Sequence, residues 1–109
     1  MARGQYLGEF EHIVLLALMR LGDDAYGVTV RQEISRRTGR DVSIGAIYAT
    51  LDRLQQKGFV SSRVGESSAE RGGRAKRHFR VLAKGIDAVN RTHEAIQTMA
   101  AGLRVKVFG

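Results

Sequence analysis

The densest charge chemistry in the chain lies between two short apolar runs, at Arg71, Gly72, Gly73, Arg74, Lys76 and Arg77. The glycines let a backbone approach a partner closely, and the cations suit phosphate oxygens or a narrow electronegative groove. Arg74, beside the glycine pair, is the first choice for an inserted side chain. A solvated loop has the same composition. A second group comes earlier: Ser43, Gly45, Ala46, Tyr48, Ala49, Thr50 and Arg53. Placed on a helix, Gly45, Ala46 and Ala49 give an exposed face small enough to sit deep in a DNA major groove, with Arg53 further along it. Ala49 can touch a thymine methyl, and Ser43 and Thr50 can make polar contacts. The helix N-terminus and the Tyr48 hydroxyl suit phosphate oxygens. The alternative for Tyr48 is a half-buried packing residue with a wet hydroxyl.

No catalytic constellation accompanies these groups. His12, His78 and His93 lack metal-ligand spacing, so no metal or cofactor is expected. Gly72-Gly73 has neither the spacing nor the context of a nucleotide-binding loop. The chain has no cysteine, hence no disulfide or thiolate site. Asn90-Arg91-Thr92 matches a glycosylation sequon, but no signal-peptide layout precedes it. The apolar run from Ile13 to Met19 is too short to span a bilayer, so a cytoplasmic protein without a membrane partner is expected.

Charge placement favours a polyanion. The formal net charge is +7, and the segment from Arg31 to Arg80 alone carries twelve Lys/Arg against five Asp/Glu. Residues 1–30 sum to −2 and residues 81–109 to +2, so the flanks cancel. A localised basic surface binds nucleic acid through counterion release. RNA recognition is disfavoured, because Phe10, Phe59 and Phe79 fall on core faces rather than offering stacking platforms. A protein-interaction module without sequence-specific DNA binding is the alternative function.

The elements that position these residues follow from periodicity. With 109 residues, a single domain over 1–109 is expected. Phe10, Ile13, Val14, Ala17, Leu18 and Leu21 predict a helix from Gly8 to Leu21, with Leu15 and Leu16 widening its apolar face toward a dimer partner. Gly22 ends it, and Asp23 or Asp24 is placed to cap the next helix, from Tyr26 to Thr38. Gly39 is a C-cap. Ser43 is a good N-cap for a third helix to Lys57, striped by Ile44, Ile47, Leu51 and Leu54. Phe59 to Val64 and His78 to Leu82 read as strands, joined through the basic glycine-rich loop. From Ala83 to Leu103 the residues Leu82, Ile86, Val89, His93, Ile96, Ala100 and Leu103 recur in steps of four and three, a heptad seam for a homodimer. A polar His93 on that seam reads as setting register, the alternative being a ligand or pH sensor. The fold class is mainly α with a small β-hairpin (α+β): a winged helix-turn-helix over about 7–82 and a C-terminal dimerisation helix over about 83–105.

Several stretches make the chain resemble the PadR family of transcription regulators, over roughly Leu7 to Leu103. They are LGEFEHIVLLAL, DAYGVTVRQEI, SIGAIYATLDRLQQKGFV and GGRAKRHFRVLAKG. The specific parts are Tyr26-Gly27 and the spacing of Tyr48, Leu51 and Leu54. The resemblance implies a homodimeric DNA-binding repressor whose last helix crosses to the partner, released by a small-molecule effector. It also implies a DNA-backbone contact at Tyr48 and a basic wing tip at Arg74. Two residues depart from the family pattern. Ala75 stands where a proline is usual, implying a less rigid wing. Ala83 stands where a threonine opens the last helix, removing an N-cap worth about 1 kcal/mol. The chain has no tryptophan, so a flat aromatic effector is not supported.

Overall fold

The computed structural model describes residues 6–65 and 76–103. Helices α1 (Glu9–Leu21), α2 (Gly27–Thr38) and α3 (Ile44–Gln56) come first. Strands β1 (Val60–Val64) and β2 (Arg77–Val81) form an antiparallel pair, and α4 (Ala83–Ala100) ends the described chain. Arg71 and Arg74, with the rest of the expected loop tip, lie outside the described residues.

The helix ends follow local chemistry. Glu11 reaches back to accept from the Gly8 amide at 3.2 Å. Gly39 closes α2 in the left-handed conformation, at φ +76°, which glycine adopts without a Cβ penalty. Ser43 Oγ accepts from the Ala46 amide at 3.0 Å, as its N-cap position predicts. The expected aspartate cap on α2 is corrected: neither Asp23 nor Asp24 caps it. Gly22–Asp24 is itself a short 3₁₀ turn. Thr29 takes the capping role, its Oγ1 accepting from the Tyr26 amide at 3.0 Å and donating to the Asp24 carbonyl at 2.5 Å.

One core is shared by all four helices and the hairpin. Val14, Leu15 and Leu18 of α1 meet Val30 and Ile34 of α2, Ile47, Leu51 and Leu54 of α3, Phe59, Val60 and Phe79 around the hairpin, and Ala88 and Val89 of α4. Two dimer-face expectations are corrected here. Leu15 is fully buried and Val89 nearly so within this single chain, so neither faces a partner. The first half of α4 is part of this core, through Ala88 and Val89. Gly85 permits that approach: a Cβ there would strike the Phe59 carbonyl. Thr92 Oγ1 accepts from the Leu7 amide at 2.9 Å, joining the described start of the chain to α4.

Beyond Thr92 no residue of α4 is buried. Ile96, Met99 and Leu103 stand 55%, 79% and 60% exposed, and Ile86, Leu16 and Met19 are also exposed. His93 is exposed, and Ala100 is half-buried. No described helix is long and apolar enough to cross a membrane.

Candidate nucleic-acid interface

The exposed face of α3 carries Gly45, Ala46, Ala49, Asp52, Arg53, Gln55 and Gln56, with Ser43 exposed at its N-cap. Its N-terminal half presents no side chain larger than alanine ahead of Tyr48. A helix of that profile fits closely into a groove about 12 Å wide. Thr50 is corrected: it is 3% exposed, and burial among the helices removes it from any base or phosphate.

Tyr48 is half-buried and packs against the core. Its ring lies on Gly27, so closely that a Cβ on Gly27 would collide with the ring and its hydroxyl. The hydroxyl makes no hydrogen bond among the described residues, which leaves it available to a phosphate oxygen. The packing and contact readings of Tyr48 therefore coexist, with the ring in one role and the hydroxyl suited to the other.

Arg53 is half tied down. Its Nε donates to Glu11 Oε2 at 3.3 Å, and Lys57 Nζ donates to the same oxygen at 2.9 Å. Burial alone pushes the Glu11 carboxyl up. Hydrogen bonds from Lys57, the Gly8 amide and Arg53, together with the Lys57 charge, outweigh it and hold the group below its usual range. Glu11 therefore orients two cations along the outer edge of α3, and about half of the Arg53 side chain stays in solvent.

The hairpin is pinned beside α3 by backbone bonds. The Phe79 amide donates to the Ala25 carbonyl at 2.9 Å, and the Leu82 amide to the Phe59 carbonyl at 2.8 Å. The register pairs Ser61 with Arg80, Ser62 with Phe79 and Arg63 with His78. Lys76 Nζ stands 4.9 Å from the centre of the Tyr26 ring. Arg77 bonds to Asp52, Gln55 and Ser62. Arg63 and Arg80, not singled out in the sequence, are exposed and have no carboxylate partner among the described residues.

The structure also redistributes the basic excess read from the sequence. The arginines of α2 and the following turn mostly face acids. Arg36 and Arg37 hold Glu33, Arg31 lies 3.7 Å from Asp41, and Arg40 lies 3.0 Å from Glu9. Arg37, then Arg36, lower the Glu33 carboxyl below its usual range. Within the basic segment, Arg63, Lys76 and Arg80 of the hairpin have no carboxylate partner among the described residues. Among the described residues no cluster of His, Asp and Glu suits a metal ion.

Solved structures with the same fold include the following three. A transcriptional regulator from Clostridium thermocellum is 22% identical with a TM-score of 0.69, over 82% of this chain and 81% of that one. A PadR-like transcriptional regulator from Bacillus cereus is 19% identical with a TM-score of 0.68, over 92% and 88%. F93 from STIV, a winged-helix DNA-binding protein, is 20% identical with a TM-score of 0.69, over 91% and 99%. At these identities the likeness establishes the winged-helix fold. No curated protein matches the sequence. The transcriptional regulator PadR-like family does match, over residues 15–91. That span holds α2, α3, the hairpin and the packed half of α4, and the chain belongs to the PadR-like family of transcriptional regulators.

Proposed function

We propose that the protein binds duplex DNA as a homodimer and represses transcription in the cytoplasm by occupying an operator. The observation that carries this reading is the small exposed face of α3, set beside a hairpin whose cations Arg63 and Arg80 have no carboxylate partner among the described residues. On this reading α3 enters the major groove and the Tyr48 hydroxyl meets the backbone. The hairpin follows an adjacent phosphate run or the minor groove, and Arg71 and Arg74, which fall between its strands in sequence, are proposed as further contacts.

The dimer is supported by the unpacked half of α4. Ile86, Ile96, Met99 and Leu103 expose apolar surface that covering would stabilise by about 1.5–3 kcal/mol for each large side chain. Leu16 and Met19 of α1 extend the same need. Two copies of α3 held about 34 Å apart address successive major grooves, which offsets the few hydrogen-bonding side chains on each. Release by a small-molecule effector is the last part of the reading and is supported by family membership.

The test is a gel shift against random and selected duplexes across a salt series. Affinity falls with salt, with a log–log slope of about −0.9 for each phosphate neutralised. A salt-independent affinity would overturn the proposed interface.

A further inference from the structure

Arg77 opens β2 and reaches across to α3. Its Nη1 donates to Asp52 Oδ1 at 3.1 Å, its Nη2 to Gln55 Oε1 at 2.7 Å and its Nε to Ser62 Oγ at 3.3 Å. Ser62 in turn donates to Gln55 Oε1 at 3.1 Å, closing a ring of polar contacts between strand and helix. The guanidinium sits 4.8 Å from the centre of the Phe79 ring, and that ring is buried in the core. All three nitrogens of Arg77 thus point at protein oxygens, and its face is backed by a side chain that cannot move away. Three of its five N–H groups are taken by these oxygens and the side chain is 38% exposed, so a phosphate approaching Arg77 competes with Asp52 for it.

Asp52 is the only carboxylate in α3, and it lies on the exposed face that the proposed function turns toward DNA. Left alone, it would repel the phosphate backbone. Fork-shaped Arg is the side chain suited to hold such a group in a fixed direction.

We propose that Arg77 is a positioning residue rather than a phosphate contact: it sets the hairpin against α3 and neutralises Asp52, while Asp52 withholds it from the DNA backbone. The proposal rests on the DNA-binding reading above. Its consequence is discrimination. Phosphate contacts raise affinity for every duplex alike, whereas base contacts separate one sequence from another. Withholding one cation per subunit lowers the sequence-independent part, and a fixed hairpin keeps the groove-facing side of α3 in one orientation.

The test uses the full chain and two probes followed by fluorescence anisotropy: a random-sequence duplex, and a duplex selected from a random library by the wild-type protein. Asp52→Asn keeps an oxygen for Arg77 but removes the charge. It should tighten random-duplex binding several-fold, steepen the salt slope by about 0.9 per subunit as Arg77 gains a phosphate, and lower the ratio of selected to random affinity. Arg77→Gln should weaken binding to both duplexes. The double variant should recover random-duplex affinity, since no unpaired carboxylate remains, while the ratio stays low. If Arg77→Gln melts within the assay range, Arg77→Lys takes its place, with an unchanged slope and a reduced ratio expected. An unchanged slope in Asp52→Asn, or a double variant as weak as Arg77→Gln, would overturn the proposal. Wild-type protein that binds neither duplex overturns the DNA reading itself, and its own isotherm identifies that case.

Discussion

The Tyr48 ring occupies the space in which a side chain on Gly27 would begin. The contact joins the first turn of α2 to the exposed helix α3, so the angle between the two helices depends on a missing methyl group. Gly27→Ala sets two effects against each other. Alanine favours a helix over glycine by up to about 1 kcal/mol. Forcing a Cβ into the ring costs about 1–3 kcal/mol, because a half-buried tyrosine must leave its rotamer or the helices must part. The collision should win. Gly27→Ala is expected to lower the melting temperature and weaken DNA binding together. Gly27→Ala combined with Tyr48→Ala should lose less stability than the two single substitutions summed, as the clash disappears. Thermal melts of the three variants check this.

Tyr48→Phe separates the ring from its hydroxyl. The ring keeps its seat on Gly27, and no internal hydrogen bond is lost among the described residues. The melting temperature should stay within a degree or two, while DNA affinity falls by a factor of about five to ten, the value of one net hydrogen bond. Calorimetry and a gel shift on the same sample check it. A clear loss of stability with intact affinity would leave Tyr48 a packing residue only.

The exposed half of α4 gives a test of assembly that spares the core. Ile96→Glu and Met99→Glu change side chains that are mostly in solvent within one chain. Each is expected to yield a folded monomer with reduced affinity for a selected duplex and retained weak binding to random DNA. Sedimentation with a gel shift distinguishes this from a dimer built on α1 alone, which would persist in both variants. Cutting the chain after Lys84 is a poorer test, because it removes Ala88 and Val89 from the core.

Acid stability should report on Glu11. Its carboxyl is held below its ordinary value of 4.5 in the folded protein, so the unfolded chain takes up this proton at higher pH. The stabilisation is complete above about pH 4.5 and is lost as pH falls through the lowered folded value. Glu33, lowered by Arg37 and Arg36, contributes with the same sign. Glu11→Gln should melt lower than wild type at pH 7, where Arg53 and Lys57 lose their countercharge. The two proteins should converge as pH falls through the lowered folded value. Melts across that range check the convergence.

The sequence showed most of the fold because its signals were local. Gly39 closed α2 and Ser43 opened α3 where their backbone preferences put them. The first strand begins one residue later than its apolar run, because the Phe59 amide bonds back to the Leu54 carbonyl and finishes the helix turn. The seam on α4 was visible as a repeat, yet a heptad does not say which positions its own domain covers. Val89 was covered and Ile96 was not. The site was legible in part for a similar reason. The small face of α3 is a property of neighbouring residues. The partners of Arg77 depend on hairpin register, the Glu11 cluster joins positions more than forty residues apart, and the Gly27–Tyr48 fit requires two helices already docked. None of these leaves a periodic trace.

The hydrogen bond from the Leu7 amide to Thr92 bears on the order in which the protein is made. Its two ends are 85 residues apart, so it closes nearly the whole described chain. During synthesis α1 emerges before α4 and waits for it before its entry is anchored and its core-facing side is covered. A chain stalled on the ribosome before Val89 therefore exposes sticky surface that a finished one hides. Closure over so long a span is slow compared with helix formation. The nascent protein is thus open to chaperones and proteases until α4 has left the ribosome, and this fold gains its binding shape only then.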